Sequence, residues 1–207
     1  MYYVNPTKST FFNLYYGLWT LFINILFISI FLPLFLVVSP IIWVLNFYYN
    51  PGPLLFFQTR EGRDQKPFKM VKYRSMVTTA ESNGPQWAKQ NDERITRLGK
   101  LLRATRLDEI PQVLNVLFFQ INVIGPRAER PELSKDIIKT IPNFHDRLII
   151  KPGITGLAQI RSGYTNDLHG AQTKLIQDLF YIKKQGVLTD IRILIGTVGT
   201  VLKKLGY

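Results

Sequence analysis

The stretch that decides the fold is GLWTLFINILFISIFLPLFLVVSPIIWVLNFYYN, residues 17–50, which carries no charged side chain. About 20 apolar residues in a helix span the hydrocarbon core of a bilayer. Residues 19–49 form a run of 31, longer than one straight crossing needs. The stretch is too long for a signal peptide and lacks a cleavage-site ending. It therefore predicts a membrane anchor at residues 1–50, followed by a polar domain at residues 51–207.

Two proline positions interrupt this segment, at Pro33 and at the pair Ser39-Pro40. Proline removes a backbone donor and kinks a helix, and a serine hydroxyl can bond a freed carbonyl. Aromatic residues cluster at both ends, as interfacial anchors do. Two arrangements are open: a single kinked transmembrane helix, or a re-entrant hairpin that turns at Ser39-Pro40 and returns to the same face. The residues alone favour the single span.

The charged residues lie almost entirely on one side of the anchor. Apart from Lys8, every Lys, Arg, Asp and Glu lies at or beyond Arg60, and the formal net charge is +12. Such a basic domain binds anions: nucleic acid, nucleotide phosphates or acidic lipid head groups. The adjoining hydrophobic segment favours lipid and phosphate over nucleic acid. With no cysteine and two histidines, acid or base chemistry must rest mainly on carboxylates, Lys or Tyr.

The polar domain predicts an α+β fold, mainly helical, with one small β-hairpin. We expect strands at 54–58 and 68–73, a polar loop at 78–91, helices at 93–105, 108–119, 171–184 and 189–204, a turn at 125–127, a short helix from 130–133, and a Gly-rich loop at 151–156. The basic helix ERITRLGKLLRAT is amphipathic. Its apolar face predicts contact either with a membrane surface or with a core.

The stretch RLDEIPQ, residues 106–112, places Asp108 and Glu109 between cations and a proline. Alone, it reads as a helix start: Asp108 would be an N-cap and Glu109 a surface residue favoured by the dipole. In its setting, Arg103 and Arg106 would keep a carboxylate ionised and hold a phosphate beside it. An ionised Asp can attack phosphorus, and a second carboxylate can hold a divalent metal or take a proton. Mg²⁺ would be needed because carboxylate and diphosphate repel each other.

Three further groups of residues suit phosphate binding. GPR, residues 125–127, offers a tight turn followed by the bidentate donor Arg127. KPGITG, residues 151–156, pairs Lys151 with glycines that let the backbone approach a ligand. Lys72 adds a cation at a strand end. Each alone is more simply a turn, a loop or a solvated charge. Together with the carboxylate pair and the anchor, they suit phosphoryl transfer at a membrane surface.

In this order, the strings PGPLLFFQTREGRDQKPFKMVKYRSM, LGKLLRATRLDEIPQVLNVL, INVIGPRAERPEL and IIKPGITGLAQI resemble the bacterial sugar transferase family, the monotopic polyprenyl-phosphate phosphoglycosyl transferases. The resemblance runs from about Gly17 to Tyr207 and suggests the minimal form, one re-entrant anchor plus a catalytic domain. Three positions depart from the family pattern. Ala128 replaces Pro, Phe119-Gln120 replaces a frequent Gly-Asp, and Lys151 replaces a frequent Arg.

The resemblance implies a monotopic membrane protein whose re-entrant helix breaks at Ser39-Pro40 and whose amphipathic helices lie at the interface. It implies that Asp108 attacks a UDP-sugar, releases UMP and carries the phosphosugar, which polyprenyl (undecaprenyl) phosphate then accepts. Glu109 would help bind Mg²⁺ or assist deprotonation of the acceptor.

Within the same resemblance, Arg103, Arg127 and, more weakly, Lys72 match phosphate- or nucleotide-binding positions. The catalytic domain would face the cytoplasm at the bacterial inner membrane and would not bind nucleic acid. The sugar, the glycan pathway and the oligomeric state stay open, a homodimer included. Two rival interpretations are a basic membrane-anchored protein that binds acidic lipid or nucleic acid without catalysis, and hydrolysis by the carboxylate pair.

Overall fold

Helices make up most of the structure, and two small two-stranded sheets complete it. The computed structural model describes residues 9–82, 84, 92–162 and 168–202. The α+β class, mainly helical with one antiparallel hairpin, is confirmed. Residues 83 and 85–91 of the expected polar loop, and residues 203–204 of the expected last helix, lie outside the described residues.

The apolar stretch forms one 40-residue helix, α1 (Thr10–Tyr49), with both prolines inside it. Ser9 begins it by accepting a hydrogen bond from the amide of Phe12 at 3.2 Å. Within the described ranges, α1 is the one helix long and apolar enough to cross a membrane. The Ser39 hydroxyl donates to the carbonyl of Phe35 at 2.6 Å and lies 2.5 Å from the Tyr73 hydroxyl. The serine at the expected break therefore bonds both the helix backbone and the following domain.

Helix α1 has two unlike faces. A narrow face packs on the domain and buries Gly17, Ile23, Asn24, Ile42 and Asn46. Most of the remaining surface exposes large apolar side chains along its whole length, including Phe22, Leu36, Trp43 and Phe47. A long exposed apolar surface is unfavourable in water and suits hydrocarbon. The exposed apolar face of α1 therefore suits contact with a membrane.

Polar contacts fasten the N-terminal part of α1 to the last helix, α7 (Val187–Leu202). The carboxylate of Asp190 accepts hydrogen bonds from Tyr16 at 3.0 Å, Trp19 at 2.9 Å and Tyr181 at 3.0 Å. Tyr181 belongs to α6 (Leu168–Lys183) and is itself 3.0 Å from the Tyr16 hydroxyl. One buried carboxylate thus joins three helices.

The predicted hairpin is confirmed, with longer strands than expected. Strands β1 (Leu55–Glu61) and β2 (Pro67–Tyr73) pair antiparallel from Leu55↔Tyr73 to Glu61↔Pro67. Arg74, just after β2, donates to the side-chain and backbone oxygens of Asn50 and to the Pro53 carbonyl. The end of the anchor is thereby tied to the base of the hairpin.

The basic amphipathic helix expected over 93–105 is shorter in the structure, where it forms α2 (Arg97–Ala104), and Thr96 caps it by accepting from the Gly99 amide at 3.0 Å. Its apolar residues Leu98 and Leu102 are buried against Tyr73 and Ile42. Most of the apolar face is therefore used for core packing. Gly99 allows this because a Cβ there would lie 1.9 Å from the carbonyl oxygen of Ser75.

The rest of the domain surrounds a core that includes Val116, Ile121, Val123, Tyr181 and Ile193. After α2 come helix α3 (Gln112–Leu117), strand β3 (Asn122–Ile124), helix α4 (Pro131–Thr140), a 3₁₀ segment (Pro142–Ile149), strand β4 (Gly153–Thr155) and helix α5 (Leu157–Ser162), before α6 and α7. Strands β3 and β4 pair in parallel.

Two local expectations are corrected. The helix expected over 108–119 is divided, because Leu107–Glu109 form a separate 3₁₀ turn and Pro111 immediately precedes α3. Half of KPGITG, Gly153–Thr155, forms strand β4, where a loop was expected. Its glycines serve strand packing, since a Cβ on Gly153 would lie 2.1 Å from the Gly125 nitrogen.

Candidate active site

The carboxylate pair lies in the short 3₁₀ turn between α2 and α3. Arg106 enters this turn with φ of 59°, a left-handed conformation that turns the chain sharply. Ile110, next in sequence, is buried in the core with Leu98 and Leu102 and anchors the turn from below. Asp108 makes no N-cap hydrogen bond, so the helix-cap interpretation is wrong for this residue. The side chain is 8% exposed.

Glu109 is held by two of the predicted cations. Lys72, from β2, donates to its Oε1 at 2.8 Å, and Arg127, from the segment after β3, lies 3.5 Å from the same oxygen. Residues separated by up to 55 positions along the chain therefore meet at one carboxylate. Burial opposes ionisation of Glu109, but Lys72 and Arg127 outweigh it and hold its pKa below the usual range.

Asp108 is placed differently from its neighbour. Within the described parts of the chain its carboxylate makes no hydrogen bond, although Lys72, Arg103 and Arg106 act on it electrostatically. Burial raises the pKa of Asp108 to about 6, and the charge of Glu109 adds to that effect. Arg103 is oriented by a hydrogen bond from its Nε to the Ser75 hydroxyl at 2.9 Å. The pair thus combines an ionised Glu109 held by two cations with an Asp108 that has no hydrogen bond to a described residue.

Both carboxylates line a pocket of about 320 Å³. Ten of its lining side chains are cationic: Arg60, Lys72, Arg74, Arg94, Arg103, Arg106, Arg127, Arg130, Arg147 and Lys174. Four are carboxylates: Glu81, Asp108, Glu109 and Glu129. Arg94 and Arg147 are paired with Asp92 and Asp178 outside the lining, and the remaining surplus of positive charge in a partly enclosed space favours an anionic ligand with more than one charge. A diphosphate is such a ligand.

Lys151, a predicted phosphate ligand, is not brought to this pocket. Its ammonium lies 5.5 Å from the centre of the Phe119 ring, and it lines a separate cavity of about 40 Å³ beside α1. Lys151 directly precedes Pro152 and β4, and the pairing of β4 with β3 fixes its place. Phe119 has φ of 56°, so the position where the family pattern often has Gly keeps the backbone conformation that Gly favours.

Several pocket residues were missed by the sequence argument. Glu129 follows the GPR turn, and Gln159 follows KPGITG, so continuation of those two motifs was a usable signal. Arg147 and Lys174 lie in no motif. Arg147 is buried, donates to Asp178 at 2.8 Å, and donates to the Arg127 carbonyl at 2.7 Å. Its hydrogen bond to the Arg127 carbonyl therefore helps to hold the GPR turn in place.

The carboxylate pair fits a magnesium ion only if the substrate completes the coordination. Among the described residues, no three His, Asp or Glu side chains form a cluster able to hold a metal. Mg²⁺ is commonly bound by one or two carboxylates together with substrate phosphates and water. Asp108, which makes no hydrogen bond to a described residue, and its neighbour Glu109 supply that minimal donor set.

A membrane anchor joined to a buried aspartate in a cationic pocket defines a class of membrane-bound proteins that act on anionic substrates. The sequence matches the family described as "Bacterial sugar transferase" over residues 15–204, and the chain belongs to that family. This result confirms the resemblance drawn from RLDEIPQ, GPR and KPGITG.

Named relatives agree with this assignment. The chain is 38% identical over 157 residues to the UDP-N-acetylgalactosamine-undecaprenyl-phosphate N-acetylgalactosaminephosphotransferase of Aeromonas hydrophila, covering 76% of this chain and 37% of that protein. It is 39% identical over 168 residues to the UDP-glucose:undecaprenyl-phosphate glucose-1-phosphate transferase of Klebsiella pneumoniae, covering 79% and 36%. The exopolysaccharide production protein PSS of Rhizobium leguminosarum bv. phaseoli is 40% identical over 155 residues, covering 72% and 78%. The chain thus spans little more than a third of the first two relatives and most of the third.

Proposed function

We propose that this protein transfers a phosphosugar from a UDP-sugar to polyprenyl phosphate, with undecaprenyl phosphate as the expected acceptor, and releases UMP. The family membership and the substrates in the relatives' names support this reaction class. The observation that carries the proposal is the asymmetry of the carboxylate pair. Glu109 is tied to Lys72 and Arg127, whereas Asp108 makes no hydrogen bond to a described residue and lines the same cationic pocket.

In the first step, a carboxylate oxygen of Asp108 attacks the phosphorus that carries the sugar. The bond from this phosphorus to the bridging oxygen breaks, and UMP leaves with the electron pair, so no proton transfer is required. The product is an aspartyl-phosphosugar. Arg103 and Arg127 are placed to neutralise the phosphate oxygens, which otherwise repel the attacking carboxylate.

In the second step, a phosphate oxygen of the polyprenyl acceptor attacks the same phosphorus. The bond between phosphorus and Asp108 breaks, which restores the carboxylate and releases polyprenyl-diphosphate-sugar. Lys72 holds Glu109 beside this centre at 2.8 Å, and because the lowered pKa of Glu109 makes it a weak base, the acceptor phosphate would enter already deprotonated. The step regenerates the starting enzyme.

Asp108 and Glu109 would hold Mg²⁺ together with the substrate diphosphate. The ion supplies charge neutralisation at the phosphates. The role of this chain's residues is then to keep Glu109 ionised through Lys72 and Arg127 and to present the free Asp108 to the same phosphate.

We further propose a monotopic arrangement at the bacterial inner membrane. The N-terminal segment and the catalytic domain would both lie on the cytoplasmic face, with α1 re-entrant at Ser39-Pro40. The support is the serine that bonds the helix backbone at this position, and the need for the pocket to meet a lipid phosphate at the interface. A cysteine introduced at position 3 should be labelled only from the cytoplasmic side. Labelling only from the periplasmic side contradicts re-entrance.

The enzyme proposal is tested by UMP release from a panel of UDP-sugars with undecaprenyl phosphate and Mg²⁺. One or more sugars should release UMP, and Asp108→Asn should abolish release. In the absence of acceptor, a donor labelled in its sugar-linked phosphate should leave label on the protein at Asp108. Absence of that label under turnover conditions rejects the covalent route. UMP release that persists in Asp108→Asn rejects Asp108 as nucleophile. The reaction would be the first membrane step of bacterial glycan assembly, such as the synthesis of O-antigen, capsule, exopolysaccharide or glycoprotein.

A further inference from the structure

The active-site pocket has two chemically different groups of lining residues beyond its phosphate-binding cations. Phe56, Met76, Val77 and Ala80 are apolar and come from β1 and the segment after β2, which also contribute the polar Gln58, Ser75 and Thr78. The second group is polar and comes from the segment after GPR, from α5 and from α6: Glu129, Gln159 and Lys174. A planar pyrimidine base binds well against apolar and aromatic surfaces. A sugar ring, which carries many hydroxyl groups, is bound through side-chain acceptors and donors.

Gln159 presents a hydrogen-bond acceptor that the described protein does not use. Its Nε2 donates to the Ile154 carbonyl at 2.9 Å, which fixes the orientation of the amide. Its Oε1 is buried and receives no hydrogen bond from a described residue. A buried acceptor without a donor is costly, and a ligand N–H or O–H would remove that cost. Gln159 lines the pocket, so a substrate group is the donor that we infer, and it would reach Oε1 by displacing the atoms that cover this oxygen.

Glu129 is a second acceptor among the lining residues of the same pocket. Three cations surround it, with Lys174 Nζ at 3.6 Å, Arg147 Nη1 at 3.9 Å and Arg60 Nη1 at 4.0 Å. These distances exceed hydrogen-bond length, and the carboxylate accepts no hydrogen bond from the described chain. Burial opposes its ionisation, but the cations, led by Lys174, hold the pKa of Glu129 below the usual range. Glu129 is therefore an ionised carboxylate with acceptor positions to spare.

We propose that Gln159 and Glu129 bind the sugar of the UDP-sugar. The Gln159 carbonyl oxygen accepts a hydrogen bond from a ring hydroxyl or an acylamino N–H, and Glu129 accepts one from a neighbouring hydroxyl. The uridine then lies against the apolar group around Phe56 and Met76. This assignment rests on the proposed function and makes the two residues determinants of sugar specificity. Neither takes part in phosphoryl transfer.

The test compares binding of a whole substrate with binding of its nucleotide part. Asp108→Asn is used throughout to prevent turnover, and the donor is whichever of UDP-glucose, UDP-galactose, UDP-GlcNAc and UDP-GalNAc releases UMP fastest with the native chain. Calorimetry then gives the dissociation constants of that donor and of UMP. Adding Gln159→Leu should weaken donor binding about tenfold, the loss expected for one hydrogen bond, and leave UMP within about twofold.

The matched control is Gln177→Leu, which removes a partly exposed glutamine on α6 whose Oε1 accepts a hydrogen bond from Arg161 Nη1 at 3.1 Å. It should change neither constant. If Gln159→Leu weakens binding of the donor and of UMP equally, Gln159 contacts the UMP part and the proposal is wrong. Unchanged binding of the donor also overturns the proposal. If Gln159→Leu does not fold, as judged by loss of UMP binding and of its melting transition, Glu129→Ala, which removes both accepting oxygens, decides by the same ratio. The phosphosugar-labelling experiment uses the native chain and does not depend on these binding constants. A negative result there rejects the covalent route, whereas a negative result in the binding test rejects only the sugar assignment.

Discussion

The pKa of Asp108, raised to about 6 by burial, gives a direct prediction for the pH dependence of the first half-reaction. Attack requires the ionised carboxylate. With a pKa of about 6, about 9% of the free enzyme is ionised at pH 5 and about 91% at pH 7. The value of kcat/KM for UMP release should therefore rise about tenfold between these pH values and then level off, because kcat/KM reports ionisations of the free enzyme.

The assay must isolate the first step. UMP release is measured without acceptor, as a single turnover at subsaturating donor, because the acceptor's phosphate monoester itself titrates near neutral pH. The diphosphate of a UDP-sugar has no ionisation in this range. A change between pH 5 and pH 7 therefore belongs to the enzyme. A profile that is flat from pH 5 to 8, or one with its midpoint below pH 4.5, refutes the argument from burial.

Glu109→Gln supplies the matched perturbation. It removes a negative charge beside Asp108 and also releases Lys72, so the pKa of Asp108 should fall and the midpoint should move to lower pH. Raising the Mg²⁺ concentration should move the midpoint of the native enzyme in the same direction if the ion binds the pair before substrate. The shift should be smaller in Glu109→Gln. A midpoint that moves to higher pH in this variant would falsify the assigned electrostatics.

Three stability predictions follow from buried groups. Asp108→Asn should stabilise the fold by up to about 3 kcal/mol at pH 7.5, because a folded-state pKa of Asp108 raised from 3.8 to about 6 makes its ionisation costly. Thermal unfolding should show this gain in stability disappear below about pH 3.8, where Asp108 is protonated in both states. Gly99→Ala places a Cβ 1.9 Å from a backbone carbonyl and should cost several kcal/mol or prevent folding, whereas Gly186→Ala, with its nearest neighbour at 4.0 Å, should change the melting temperature little. Tyr181→Phe removes a donor to Asp190, whose pKa burial raises to about 6, and should cost about 2 kcal/mol. This cost should be greater at pH 8 than at pH 5, since only the ionised Asp190 depends strongly on the donor; the opposite trend in urea unfolding contradicts the assignment.

The parts of the fold that follow from local patterns were predictable. The charge-free run predicts α1, the alternating residues around a polar turn predict β1 and β2, and the residues before Pro131 predict the start of α4. Boundaries were less accurate, because hydrogen bonding across the hairpin extends β1 to Glu61 beyond any alternation in the sequence. Helix α2 shows the limit of amphipathic patterns: they give the apolar face but do not say whether membrane or protein covers it.

The grouping of the candidate residues was predictable where they belong to, or directly precede, a recognisable motif. Asp108, Glu109, Arg103 and Arg127 line one pocket, as RLDEIPQ and GPR suggested. Lys151 shows why a cation near glycines is a weak signal, since the close backbone approach at Gly153 serves strand packing as readily as ligand binding. Lys174 reaches the pocket from a helix with no motif, and only the tertiary fold could reveal it.

The bonds from Tyr16 and Trp19 to Asp190 have a consequence for biosynthesis. Tyr16 and Asp190 are 174 positions apart, so the two partners leave the ribosome roughly 10 to 35 s apart at ordinary elongation rates. The contact of Ser39 with Tyr73 spans 34 positions and becomes available far earlier. The C-terminal half of the anchor can therefore dock while translation continues. At the other end of the anchor, Tyr16 and Trp19 can bond Asp190 only after nearly the whole described chain has been made.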